Sequence, residues 1–134
     1  MHTTECSQEN GASYILLIED EAEIRDAVVL SFKGRGYCIV SASDGEAALE
    51  ELRHHTSKPA VIVSDYWLGK GENGLEVIES VRTMFKESVP GVLLSGDTTP
   101  ETLKHLNESD VVVLHKPVRY TELWQTIEGL GVTL

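Results

Sequence analysis

Apolar residues along the chain fall in short unbroken runs, separated by longer segments whose apolar positions recur with a helical period. The runs are Tyr14 to Ile18, Tyr37 to Val40, Ala60 to Val63, Gly91 to Leu94 and Val111 to Leu114. Each is rich in Val, Ile and Leu without polar alternation, the pattern of a strand covered on both faces. Between them, Ile24, Ala27, Val28 and Ser31 mark one face of a first helix that Gly34 and Gly36 stop. Ser43, with Glu46 three residues on, predicts a capping box at the start of a second helix. Leu75, Ile78, Val81, Arg82 and Phe85 line one face of a third. Thr99 and Pro100 supply an N-cap and first-turn proline for a shorter fourth helix that fades at Asn107. Leu123, Trp124, Ile127 and Leu130 set the last helix against the sheet. The expectation is an α/β fold, (βα)5, with a doubly wound five-stranded parallel sheet and right-handed crossovers.

Composition narrows what such a domain can do. The 134 residues, 41% of them hydrophobic, suffice for one domain with a core of its own. The formal net charge of -11 repels phosphate backbones and anionic lipid heads, so direct nucleic-acid binding is not expected. The longest stretches free of Asp, Glu, Lys and Arg, Asn10 to Ile18 and Ser88 to Gly96, fall well short of the roughly 20 apolar residues of a spanning helix. Met1 to Gly11 is polar and carries Glu5 and Glu9 where a secretion signal has basic and apolar regions, so a cytoplasmic location without membrane contact is expected. The two cysteines, Cys6 and Cys38, have neither the number nor the spacing of a disulfide framework or zinc site and read as reduced thiols.

In open α/β sheets the chemistry sits at the carboxyl ends of the strands. The first run leads into Glu19, Asp20 and Glu21, the third into Ser64 and Asp65, the fourth into Ser95 and Gly96, and the fifth into His115, Lys116 and Pro117. Singly, each has a plain structural use as a cap, a turn or a solvated corner. Together at one edge they suit a specific chemistry. Crowded carboxylates repel unless a hard divalent cation neutralises them, and Mg²⁺ takes oxygen ligands while keeping several waters. One carboxylate can then attack a phosphoryl group while Lys116 and Ser95 hold the transferring oxygens.

The stretches Ile15-Leu16-Leu17-Ile18-Glu19-Asp20-Glu21, Val61-Ile62-Val63-Ser64-Asp65, Asn73-Gly74-Leu75-Glu76-Val77-Ile78, Leu93-Leu94-Ser95-Gly96-Asp97 and Leu114-His115-Lys116-Pro117 resemble the receiver domain of two-component response regulators. The resemblance runs from about Tyr14 to Leu130. It implies a flavodoxin-like strand order 2-1-3-4-5, with 1–12 as a polar N-terminal tail and 13–134 as the receiver domain. It implies Asp65 as phosphoacceptor in a phosphorelay and Mg²⁺ held by Asp20, Asp65 and the backbone carbonyl of Trp67, with Glu19 on a metal-bound water. Ser95 is then the switch hydroxyl, Lys116 the partner of phosphorylated Asp65, and Lys116-Pro117 a cis peptide. The implied partners are a sensor histidine kinase or histidine phosphotransfer protein as donor and a downstream protein, met through a face made of the fourth helix, fifth strand and fifth helix. No separate enzyme is implied beyond Mg²⁺-dependent self-phosphorylation and autodephosphorylation at Asp65. Receivers attached to hybrid sensor histidine kinases look similar, and a single-domain regulator is equally compatible.

Three positions depart from the family pattern. Glu19 stands where Asp is usual. Gly69 replaces a common Pro in a stretch that looks one residue longer, so this loop should be more flexible. Val113 fills the place of an aromatic residue whose inward swing often reports phosphorylation. Rival readings fail on particular residues. Gly69 to Gly74 lacks the Gly-Lys-Ser/Thr ending of a phosphate-binding loop, and Gly34-Arg35-Gly36 precedes a strand instead of following one. A haloacid-dehalogenase-like phosphatase needs a second Asp at Trp67, and a flavin carrier needs a first loop without Glu19-Asp20-Glu21. A receiver-like module that binds partners without phosphorylation is the remaining alternative, and its mark would be a missing Asp or Lys.

Overall fold

A computed structural model describes residues 13–132. Strands β1 (Ile15–Ile18), β2 (Ile39–Ala42), β3 (Val61–Asp65), β4 (Gly91–Ser95) and β5 (Val112–His115) alternate with helices α1 (Ala22–Gly34), α2 (Gly45–Leu52), α3 (Gly74–Phe85), α4 (Pro100–Asn107) and α5 (Tyr120–Gly129). All neighbours pair in parallel, in the order β2-β1-β3-β4-β5 expected from the motifs. The register sets Ile18 beside Ala42 and Ser64, Asp65 beside Leu94, and Ser95 beside His115. The carboxyl ends of the strands therefore share one edge.

The unbroken apolar runs are explained by two helical layers. Side chains alternate across a strand, so Leu16, Ile18, Ile62 and Leu93 face α2, α3 and α4, where they meet Leu52, Ile78 and Leu106. Ile15, Leu17, Val61, Val63 and Val92 face the other way onto Val28 and Phe32 of α1 and Leu123 and Ile127 of α5. Burying one such side chain contributes about 1.5–3 kcal/mol, so a polar replacement at any of these apolar positions would be costly on either face.

Local details differ from the sequence expectations. The buried residues of α1 are Val28, Val29 and Phe32, while Ile24 is 43% exposed. The sheet takes the stripe that includes the large Phe32 ring, which leaves the first turn of α1 facing a groove. The N-cap of α2 is Asp44, which accepts from Ala47 N at 2.8 Å, in place of Ser43. Gly45 N donates to Glu72 Oε1 at 2.9 Å, so a second free N–H of this helix end is satisfied from a distant loop that local spacing does not reveal. Thr99 caps α4, with Pro100 in its first turn as expected. Lys116-Pro117 is cis. Cys38 is disulfide-bonded, which corrects its reading as a reduced thiol. Pairing depends on how closely Cβ atoms approach in space, which spacing along the chain does not report. Cys6 and the rest of the tail read at 1–12 lie outside the described residues. Among those described, no helix is long and apolar enough to cross a membrane.

Candidate functional site

Four of the strand ends converge. After β1, Glu19 N still donates to Ala42 O at 3.0 Å, which extends the ladder and turns the Glu19 side chain inward. Its Oε2 accepts from Glu21 N at 3.0 Å, and its carbonyl accepts from Arg25 Nη1 at 2.8 Å. Asp65, the last residue of β3, is 6% exposed and Glu19 5%, whereas Asp20 is exposed. One oxygen from each of these three carboxylates lies within 4.8 Å of the others. Lys116 N donates to Ser95 O at 2.8 Å, continuing the β4–β5 pairing, and this places Nζ 3.2 Å from Asp65 Oδ1.

The acid cluster has a measurable electrostatic cost. Burial pushes the Glu19 carboxyl up to about 8. The Glu21 N–H works against that rise, and Asp65 and Asp20 add to it. In the unfolded chain Glu19 returns to the ordinary carboxylate range, so between about 4.5 and 8 the folded state holds a proton that the unfolded state has lost. The resulting stability is fully present below the lower value and is lost as pH rises through the upper one. In chelator, the urea midpoint is expected to fall from pH 5 to pH 8.5, and Glu19→Gln should flatten that dependence. A midpoint that instead rises over this interval would contradict the assignment.

The donor set fits a hard divalent cation. It offers only oxygens, carries several negative charges, and includes Asp65 Oδ1, a buried atom that accepts no hydrogen bond among the described residues despite the nearby ammonium. Ser95 stands at the next strand end and is 2% exposed. Its hydroxyl is engaged with its own loop, accepting from Asp97 N at 3.1 Å and lying 3.4 Å from Asp97 O. It is not hydrogen-bonded to Asp65. Trp67 is 51% exposed, and its indole N–H donates to Asp97 Oδ2 at 2.8 Å. The loop after it, expected to be flexible, is closed by Leu68 N donating to Glu72 O at 2.8 Å, by a Trp67–Asn73 bridge and by a short turn of 3-10 helix at Gly69–Gly71.

Asp97 is the site-region residue to which the sequence reading gave no role. The Thr99 backbone N–H, the Trp67 indole and the Thr102 hydroxyl all donate to its carboxylate and hold it far below the usual range. The available signal was an Asp two residues before Thr99, the spacing of an Asx-turn. Beside the acids, a groove of about 490 Å³ opens between α1 and α5, lined by Ile24, Val28, Tyr120 and Leu123, with Asp65 and Lys116 at its polar end.

A doubly wound sheet with this edge is a signalling receiver by class, as the motifs led one to expect. The chain belongs to the response regulator receiver domain family, whose model matches residues 15–128. It is 34% identical over 120 residues to the alkaline phosphatase synthesis transcriptional regulatory protein SphR of Synechococcus elongatus, a match covering 84% of this chain and 46% of that protein. The solved response regulator receiver protein from Pseudomonas putida is 27% identical with a TM-score of 0.74, covering 87% of this chain and 96% of that one. The chemotaxis protein CheY4 of Vibrio cholerae is 26% identical with a TM-score of 0.73, covering 87% and 97%. The chain thus spans about half, or less, of the length of the curated relatives it matches.

Proposed function

We propose that Asp65 accepts a phosphoryl group from a phosphohistidine of a sensor histidine kinase or histidine phosphotransfer protein. The observation that carries this reading is a nearly buried strand-end carboxylate with one oxygen paired to Lys116 and two further acids beside it. An Asp65 oxygen attacks phosphorus, the P–N bond to the donor imidazole breaks, and the imidazole leaves with its electron pair. Lys116, already 3.2 Å from Asp65, pairs with the charge now on the phosphoryl oxygens. Ser95 turns its hydroxyl from Asp97 to a phosphoryl oxygen, which makes it the first moving part. Asp20, Asp65 and the carbonyl of Trp67 would hold Mg²⁺, with Glu19 on one of its waters, and the cation would neutralise the crowded carboxylates and the incoming phosphoryl group.

The groove between α1 and α5 gives a protein donor an apolar surface directly beside Asp65. Output passes to a downstream protein through α4, β5 and α5. The receiver unit comprises residues 13–134, works in the cytoplasm, and is no separate enzyme beyond self-phosphorylation and autodephosphorylation. The test needs no partner. Intact-mass spectrometry after incubation with acetyl phosphate and Mg²⁺ should show one added phosphoryl group, and chelator should slow its appearance at least about ten-fold, as expected when a charge-neutralising ion is withdrawn. Equal uptake in chelator would remove the metal from the mechanism, and no uptake in either condition would overturn the reading.

A further inference from the structure

The two residues that follow Asp65 reach across to the loop before α4 and to α4 itself. Trp67 Nε1 donates to Asp97 Oδ2 at 2.8 Å, and the same oxygen accepts from Thr102 Oγ1 at 2.8 Å. Asp97 Oδ1 accepts from Thr99 N at 2.9 Å. One carboxylate is therefore tied at once to the loop after β3, to the N-cap residue of α4 and to the first turn of α4. Tyr66 OH lies 3.0 Å from His105 Nδ1, further along the same helix. Asp97 is also bound to the Ser95 hydroxyl through its backbone, N to Oγ at 3.1 Å, so that hydroxyl cannot leave without disturbing the carboxylate next to it.

The helix so held has little else to hold it. It has 8 residues, of which Thr102 and Leu106 are buried. Few buried apolar contacts place a segment at the low end of local stability, where individual hydrogen bonds weigh more. Val113 has no ring, and the hydrogen bonds from the end of β3 toward α4 run instead through Tyr66 and Trp67.

We propose that Trp67 and Asp97 form a latch that holds α4 against the end of β3 in the unphosphorylated chain, and that loading Asp65 opens it as Ser95 turns away. The opened α4 is the part of the output face that a partner protein would read. The opening step rests on the phosphoacceptor reading above, whereas the latch itself does not.

The experiment measures amide exchange across residues 100–107 in the full chain, with and without acetyl phosphate and Mg²⁺, while intact mass reports loading. Without donor, Asp97→Ala should speed exchange in α4 by roughly ten-fold, the scale set by losing hydrogen bonds to a charged acceptor. Trp67→Phe, which keeps a ring beside Tyr66 but lacks the N–H, should act in the same direction. The double variant should show less than the product of the two effects, because both remove one bond. Asp97→Asn keeps one acceptor oxygen, enough for the Thr99 N–H or for the Trp67 indole but not for both, and should fall between the wild type and Asp97→Ala. With donor, wild-type α4 should loosen, and Asp97→Ala, already loose, should change little at equal loading.

Unchanged α4 exchange in both single variants, or effects that multiply, would overturn the latch. A wild-type α4 that does not respond at full loading would overturn its opening. Absence of loading in the wild type would overturn the phosphoacceptor reading, and the opening step with it, while the donor-free comparison still decides the latch.

Discussion

Replacing Asp65 by Asn is expected to reduce phosphoryl uptake from acetyl phosphate to background, with the fold intact. The amide nearly matches the carboxylate in shape but offers no anionic oxygen to attack phosphorus, so the loss is one of chemistry. Stability should change little. The ion pair lost is to Lys116, whose side chain is 46% exposed although Asp65 is nearly buried, so the ammonium left behind stays in contact with water and the neutral amide leaves no buried charge. Against that, the substitution removes a negative charge beside Glu19. Asp65 is among the groups that raise the Glu19 carboxyl, so its removal should lower the Glu19 pKa and shrink the fall in urea midpoint between pH 5 and pH 8.5. Two independent readouts thus test one placement. Full loading of the Asn variant in the mass spectrum would end the assignment of Asp65.

The second large effect lies outside the acid cluster. A Cβ added at Gly74 would come within 2.4 Å of Asp65 O, 2.6 Å of Ser64 Oγ and 2.9 Å of Leu93 Cδ2. The first of these is backbone of the acceptor strand and cannot swing aside. Gly74 N also donates to Tyr66 O at 2.7 Å, so α3 is drawn toward β3 at this point. Gly74→Ala should therefore cost about 3 kcal/mol or more, at the upper end of overpacking effects, and should also depress uptake at Asp65. Gly91→Ala is the control. Its Cβ would meet Ile78 Cδ1 at 2.6 Å, the far end of a flexible side chain, and Val111 Cγ1 at 3.2 Å. About 1 kcal/mol is expected there. Urea midpoints with unchanged slope would measure both, and an equal cost at the two positions would show that the β3 backbone yields more readily than its contacts imply.

The site was legible where chemistry coincides with the end of an apolar run. Ile18 passes directly to Glu19 and Asp20, and Val63 to Ser64 and Asp65, so strand ends and acids could be read together, and parallel register then did the gathering. What depends on contacts between distant segments was not legible. The stripe of α1 that faces the sheet follows from where Phe32 fits between β strands and α5, and Ile24 carries no local mark of being outside it. Asp44 and Ser43 are both good caps, and Glu72, which reserves the neighbouring Gly45 N–H, lies in a loop across the sheet edge. Asp97 looked like an ordinary turn residue because the three groups that donate to its carboxylate, the Trp67 indole, the Thr99 backbone N–H and the Thr102 hydroxyl, include one from another strand's loop.

Every ladder between the strands is parallel, and this has a consequence for how the chain is made. Parallel partners are never joined by a tight hairpin, so each waits for a crossover to be synthesised. β1 lies at the centre of its half of the sheet, pairing Ile15 with both Ile39 and Val61. While the ribosome adds the residues from Ile18 to Asp65, a matter of roughly a few seconds at ordinary elongation rates, the most apolar strand of the protein emerges with one edge open. Carboxylates Glu19 and Asp20 are exposed first, Asp65 joins them when β3 closes that edge, and Lys116 arrives last from the strand at the sheet's far side. The three acids are thus all synthesised before Lys116, and the edge cluster can be complete only when nearly all of the described domain has been made.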